Sequence, residues 1–160
     1  MFIYSVRASS IRFVGLLALS LLLLVGVVVS AEQSTVSAAS YQYSKIKTDE
    51  DRVAFLKQFG WETTSTTPHE QKTFALPDTF DRVMLGYNEI QKSQGLDLSR
   101  YKNKKVTRYT YEIKNYEGYE GTVYANLIVF RDKVIGADIC SADPMGFVHG
   151  LEKNNSQPGQ

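Results

Sequence analysis

Between residues 104 and 141 the hydrophobic side chains recur at every second position, and no other feature limits the possible folds of this chain so tightly. That period belongs to a pleated strand with one buried face. KKVTRYTYEIKN (104–115) runs to the turn YEGYEG (116–121), TVYANLIVF (122–130) to the turn RDK, and VIGADICS (134–141) completes the run. Three antiparallel strands in a meander are predicted. If both turns keep residue parity, one face carries Tyr109, Tyr111, Ile113, Val123, Ala125, Leu127, Val129, Ile135, Ala137 and Ile139, all odd-numbered. The other face carries Arg108, Thr110, Glu112 and Lys114, then Tyr124, Asn126, Ile128 and Phe130, then Val134, Gly136, Asp138 and Cys140. Tyr124, Ile128, Phe130 and Val134 have no helix assigned to them on this register. Left open they form a patch suited to a partner, and the alternative is that residues 62–76 or the C-terminal turn pack there.

Two helices precede the meander. TDEDRVAFLKQFGW (48–61) has Thr48 as cap, Asp49, Glu50 and Asp51 in the first turn where the helix dipole favours them, and Gly60 as its stop. Val53, Leu56 and Phe59 are expected in the core. PDTFDRVMLGYNEIQKSQG (77–95) opens at Pro77 and Asp78 and stops at Gly95, with Phe80, Val83, Met84, Tyr87 and Ile90 on one stripe. Between them lie a polar loop containing His69 and a short strand, KTFAL (72–76). The expected class is α+β: two helices on one face of a three-stranded antiparallel meander, with an extra short strand.

The 160 residues suit one globular unit, and a net charge of +1 gives no reason to expect a nucleic-acid partner. From Phe13 to Ala31, FVGLLALSLLLLVGVVVSA lacks any charge and has about the length of a membrane-spanning helix. Arg7 and Arg12 precede it and Glu32 follows, so the positive-inside rule puts later residues outside the membrane. Residues 1–31 read as a signal anchor, or as a signal peptide cut after Val29-Ser30-Ala31, which would release the rest. Residues 32–44, rich in Ser, Ala and Gln, read as a tether, 45–152 as the globular domain and 153–160 as a polar tail. The expected setting is the cell membrane, single-pass, with residues 13–31 as the contact.

DICSADPMGFVHGLE (138–152) gathers two aspartates, the single cysteine, a serine and a histidine. A thiol nucleophile needs a nearby base and a lowered pKa, and Asp138 beside Cys140 acts the other way. Ser141 lacks the strained elbow of a hydrolase nucleophile, and no metal-ligand spacing fits. Ser141 and Asp143 before Pro144 read as turn formers, with Phe147, Val148 and Leu151 returning to the core. No catalytic residue, metal ligand or cofactor is assigned. The alternative is an envelope hydrolase or metal-binding protein using Cys140, Asp143 and His149. RYKNKKVTR (100–108) clusters Arg100, Lys102, Lys104 and Lys105 with Arg108. Such a run is either a solvated loop or a contact for lipid headgroups or an anionic wall polymer. The leading expectation is an extracytoplasmic binding or protein-interaction module, with Tyr124, Ile128, Phe130, Arg100, Lys102, Lys104 and Lys105 as binding candidates.

FLKQFGW (55–61), LPDTFD (76–81), YNEIQKSQGLDLSRYKNKKVTRYTYEI (87–113) and VYANLIVFRDKVIGADICSAD with GFVHGL (123–151) together resemble the family catalogued as domain of unknown function 4830. The resemblance runs from about Asp51 to Glu152. It implies a small anchored or secreted bacterial protein, and it brings no activity and no functional residues. The turn Arg131-Asp132-Lys133 lacks the glycine expected in such a hairpin.

Overall fold

Capping chemistry sets the first helix, α1 (Asp49–Gln58): the Thr48 side chain accepts from the Asp51 amide while the Asp51 carboxylate accepts from the Thr48 amide. Gly60, at a φ of 79°, ends it in the left-handed conformation that favours glycine. The computed structural model describes residues 41–153, so the expectations for residues 1–40 and 154–160 lie outside the described residues. Among the described residues no helix is long and apolar enough to cross a membrane. The second helix, α2 (Arg82–Ser93), starts later than predicted, because Asp81 and not Asp78 accepts from the free Met84 amide at 2.8 Å.

The sheet has five antiparallel strands in sequence order, β1 (Glu70–Ala75), β2 (Lys105–Ile113), β3 (Val123–Phe130), β4 (Lys133–Ser141) and β5 (Val148–His149). The three-strand meander is therefore its centre. β1 is the expected extra strand at one margin, and β5 is an addition formed where a turn was expected.

Parity holds from β2 into β3 and along most of β4, with Tyr109 opposite Leu127, Tyr111 opposite Ala125 and Leu127 opposite Ala137. It fails at the start of β4. Ile128 pairs with Gly136 but Val129 pairs with Val134, leaving Ile135 as a bulged extra residue. The bulge exchanges two predicted positions: Val134 joins the core beside Val129, and Ile135 joins the opposite cluster with Ile128. The adjoining turn holds Arg131 and Asp132 at φ of 46° and 59°, the paired positive values of a tight two-residue hairpin, without glycine.

The helices lie on opposite faces, not on one. Phe55, Leu56 and Phe59 of α1 pack with Tyr111, Ala125, Leu127, Ala137 and Ile139. Met84 and Tyr87 of α2 pack over Leu98, Val106, Ile128 and Ile135 on the other face. The stripe predicted for α2 is only partly buried, and Val83 is 81% exposed. In its place α2 buries Asn88 and Gln91. Asn88 accepts from the Leu98 amide at 2.8 Å, and Gln91 serves the margin of β4, whose Ala137 amide donates to Gln91 Oε1 at 2.7 Å while its carbonyl accepts from Gln94 Nε2 at 2.7 Å. Buried backbone groups must be paired, and a glutamine reaches where an aliphatic side chain cannot.

The same margin is closed on both sides of Ala137. Residues 43–46 run beside the start of β4, with the Val134 amide donating to Tyr43 and the Ile46 amide to Asp132 at 2.8 and 2.9 Å. Beyond Ala137, β5 pairs with Ile139 and Cys140. Tyr41 to Ser44, read from sequence as the last part of a tether, thus pack on the domain, and Tyr41 stacks on Phe59 at 4.1 Å.

Candidate functional site

β2, β3 and β4 place Thr110, Asn126 and Asp138 in one cross-strand row on the α2 face. Thr110 Oγ1 donates to Asn126 Oδ1 at 2.7 Å, Asn126 Nδ2 to Asp138 Oδ1 at 2.8 Å, and the Tyr87 hydroxyl of α2 to Asp138 Oδ2 at 2.6 Å. Burial pushes the Asp138 carboxyl up from its ordinary value, and its hydrogen bonds from Tyr87 and Asn126 oppose that. Burial likewise raises the Tyr87 hydroxyl, with Asp138 adding to it. The row is a polar clasp between helix and sheet. Each member has a partner, so the arrangement fastens α2 more than it offers a reactive group.

Cys140 occupies the next row, opposite Tyr124. Its thiol is pushed up to about 11, first by burial and then by Asp138, which agrees with the expectation that Asp138 suppresses thiolate formation. His149 pairs with Ile139 across β4 and β5, so it projects from the opposite face to Cys140. There it stacks on Phe147, its Nε2 lies 3.0 Å from the Tyr116 hydroxyl, and its Nδ1 lies 2.7 Å from the Gly150 carbonyl. Asp143 stays within its own turn and accepts from the Met145 amide. The fold does not bring Cys140, Asp143 and His149 together. Among the described residues no group of three or more His, Cys, Asp or Glu side chains could hold a metal ion. The turn reading of Ser141 and Asp143 fits their contacts, since Ser141 Oγ donates to the Asp143 carbonyl. Leu151 is buried as expected, whereas Val148 is 47% exposed.

The apolar patch expected at Tyr124, Ile128, Phe130 and Val134 is not an open face. Ile128 is buried beneath α2, Phe130 is half-buried against Tyr101 at 5.6 Å, and Tyr124 is half-buried with His69 stacked on it at 5.2 Å. The bulge carries Val134 to the other face. The cover comes from α2 and the 3-10 turn Leu98–Tyr101 together with residues 62–76, one of the two segments considered, through His69, Phe74 and Leu76.

Arg100, Lys102, Lys104 and Lys105 are exposed. They lie in the 3-10 turn, the segment after it and the first residue of β2, at the end of the sheet where β1 and β3 finish and β4 begins. The same end holds exposed Arg131 and Lys133 of the hairpin, and Lys45 beside them through the Ser44–Lys133 pairing. Acidic groups share this end: Asp132 faces Lys47 at 3.7 Å, Asp97 faces Arg100 at 3.4 Å, Asp78 accepts from Asn103, and Asp49, Glu50 and Asp51 fill the first turn of α1 directly after Lys47. Among the described residues Lys45, Lys102, Lys104, Lys105, Arg131 and Lys133 have no carboxylate within ion-pair distance. Sequence reading found the run at 100–105 but could not place Lys45, Arg131 and Lys133 beside it, because only the antiparallel topology does so.

No curated protein and no solved structure matches the chain. The family model described as Domain of unknown function (DUF4830) matches residues 55–139, from Phe55 in α1 to Ile139 in β4. The match takes in α2, the polar row and the basic run, and stops one residue short of Cys140. Because it spans more than half of the 160 residues, the chain belongs to the DUF4830 family.

Proposed function

We propose that this chain is a membrane-anchored extracytoplasmic protein whose folded part is a binding module with an anionic ligand, not an enzyme. The observation that carries the reading is the gathering of exposed cations at the end of the sheet formed by the start of β2 and the β3–β4 hairpin, in a protein whose net charge is only +1. Exposed cations gathered without a carboxylate in ion-pair distance favour anionic partners. The apolar run 13–31 supports the anchor and the preceding arginines support the orientation. The alternative, a hydrolase or metal-binding protein working through Cys140, Asp143 and His149, draws no support from side chains on opposite faces of the sheet.

The test uses the full chain in sealed membrane vesicles of known orientation. Added protease is expected to remove the folded part from right-side-out vesicles and to leave it intact in inverted ones. In neutral detergent the same chain is expected to bind an immobilised polyanion and to elute with salt, and Lys102→Glu with Lys104→Glu to weaken that binding. Full-length chain in the soluble fraction refutes the anchor. Indifference of polyanion binding to both substitutions refutes the basic end as the contact.

A further inference from the structure

We infer that two copies of this chain join edge to edge through β1, antiparallel, with Thr73 opposite its own counterpart on the two-fold axis. The pairing needs neither the anchor nor the basic end. β2 turns the backbone of its even-numbered residues toward β1: Lys104 accepts from Leu76 at 3.0 Å, Thr110 from His69 at 2.7 Å and Glu112 from Thr64 at 3.0 Å. Ladder bonds alternate, so Glu70, Lys72 and Phe74 bond to β2 while Gln71, Thr73 and Ala75 turn their N–H and C=O groups outward. The β4 margin is closed on both sides of Ala137, but among the described residues no strand or bridge pairs with the outer side of β1. A bare edge of this kind is a template for another strand. All its side chains except Phe74 are exposed, so β1 offers a foreign peptide no pockets in which to read alternate side chains. A second copy fits in one register. With the axis at Thr73, Gln71 meets Ala75, Lys72 meets Phe74 and Glu70 meets Leu76, so every outward group is paired and no like charges are opposed. The Thr73 and Thr107 hydroxyls already lie 3.0 Å apart, and the axis extends that pair into a line of threonines crossing both copies. Moving the axis to Lys72 opposes that lysine to itself and calls on His69, whose amide is turned inward to Thr110. Moving it to Phe74 calls on Pro77, which has no amide. Lys72 thus guards the edge against a wrong register and leaves the right one open.

The experiment uses the full chain in neutral detergent with Cys140→Ser, so that each introduced cysteine stands alone. Thr73→Cys is expected to form a disulfide-linked dimer under mild oxidation, because opposed residues of a hydrogen-bonded antiparallel pair lie about 5.5 Å apart, within disulfide reach. Gln71→Cys and Lys72→Cys each lie more than about 7 Å from their own counterparts in this register and should cross-link at least about tenfold less. Gln71→Cys combined with Ala75→Cys should cross-link as Thr73→Cys does. Adding Thr73→Pro to that pair should abolish the cross-link and hold the melting temperature, since proline removes an outward amide that β2 does not use. If that variant melts early, the single cysteines alone decide. Equal yields at positions 71, 72 and 73, a higher yield at 72, or no cross-link at any of them overturns the inference. A Gln71→Cys/Ala75→Cys cross-link that survives Thr73→Pro in a folded chain also overturns it. So does a Thr73→Cys thiol that neither cross-links nor reacts with a maleimide, in favour of an edge covered by the chain itself.

Discussion

Replacing Asp138 by asparagine is expected to stabilise the fold at neutral pH, although the carboxyl is the hub of the polar row. Asp138 is 4% exposed, and its two oxygens accept from Tyr87 at 2.6 Å and Asn126 at 2.8 Å. Those bonds do not fully offset the loss of water, so the folded pKa lies above the ordinary 3.8. Between the unfolded and folded values the native state binds more protons than the unfolded chain, and the free energy of unfolding therefore falls as pH rises. The contribution is fully present below the unfolded pKa and is lost through the folded one, at about 1.4 kcal/mol per pH unit of that interval. Asparagine carries no charge to desolvate and keeps both partners: its carbonyl accepts from Asn126 and its amide donates to the Tyr87 oxygen. Alanine keeps neither, and two buried polar groups left unpaired should cost about 2–5 kcal/mol. Urea unfolding followed by the fluorescence of the single tryptophan, Trp61, measures all three proteins from about pH 3.5 to 8. Asp51 and Asp97 are shifted downward, Asp97 to about 2, and they impose the opposite slope. The diagnostic quantity is thus the asparagine variant minus wild type, which should grow as pH rises above the ordinary carboxyl value. A difference that is flat or shrinks with pH, or an asparagine variant as unstable as the alanine one, refutes the reasoning.

Gly136→Ala would put a methyl carbon 2.9 Å from Leu98 Cδ2 and 3.4 Å from Gln91 Oε1, beneath α2. A loss of about 1–3 kcal/mol is expected, and an unchanged melting temperature would show that α2 yields freely. Trp61→Phe removes the donor to the buried Leu151 carbonyl, a 2.6 Å bond, and should cost about 1–3 kcal/mol by urea unfolding monitored by circular dichroism. Cys140, with its thiol near 11, should react with iodoacetamide at pH 8 at least about 100-fold more slowly than a free thiol. Alkylation at the rate of glutathione would mean that the thiol is neither buried nor opposed by Asp138.

The strands were legible because alternation survives at the core-facing positions of β2, β3 and β4 beyond its bulge, and Tyr111 opposite Ala125 opposite Ile139 follows from parity alone. The bulge at Ile135 was not legible, since two adjacent apolar residues, Val134 and Ile135, satisfy either register. The side taken by α2 was hidden for a different reason. Its apolar stripe pointed to a core helix, but part of that stripe is solvent-exposed, while Asn88 and Gln91 are buried to pair backbone groups of other segments. Hydrophobicity says nothing of such needs, which arise only once the Leu98 amide is buried under α2 and β4 lies at a margin. Of the candidate site, the cations at 100–105 were visible as a run. Their neighbours from the hairpin and from Lys45 are tens of residues away in the chain, and only strand pairing unites them.

The attachment of residues 43–46 to β4 has a mechanical consequence. Any pull on the chain ahead of Tyr41 reaches the domain first where Tyr41 stacks on Phe59 and the Gln42 amide donates to Gln58 of α1, and only then at two backbone hydrogen bonds, Val134 to Tyr43 and Ile46 to Asp132. Release of residues 41–46 would uncover Phe59 and Phe55 of α1 first, and then Val134 and Ile46 in the core, while α2 and the remaining strands kept their own contacts. The domain therefore has a defined point of first failure under tension, placed where the chain enters it.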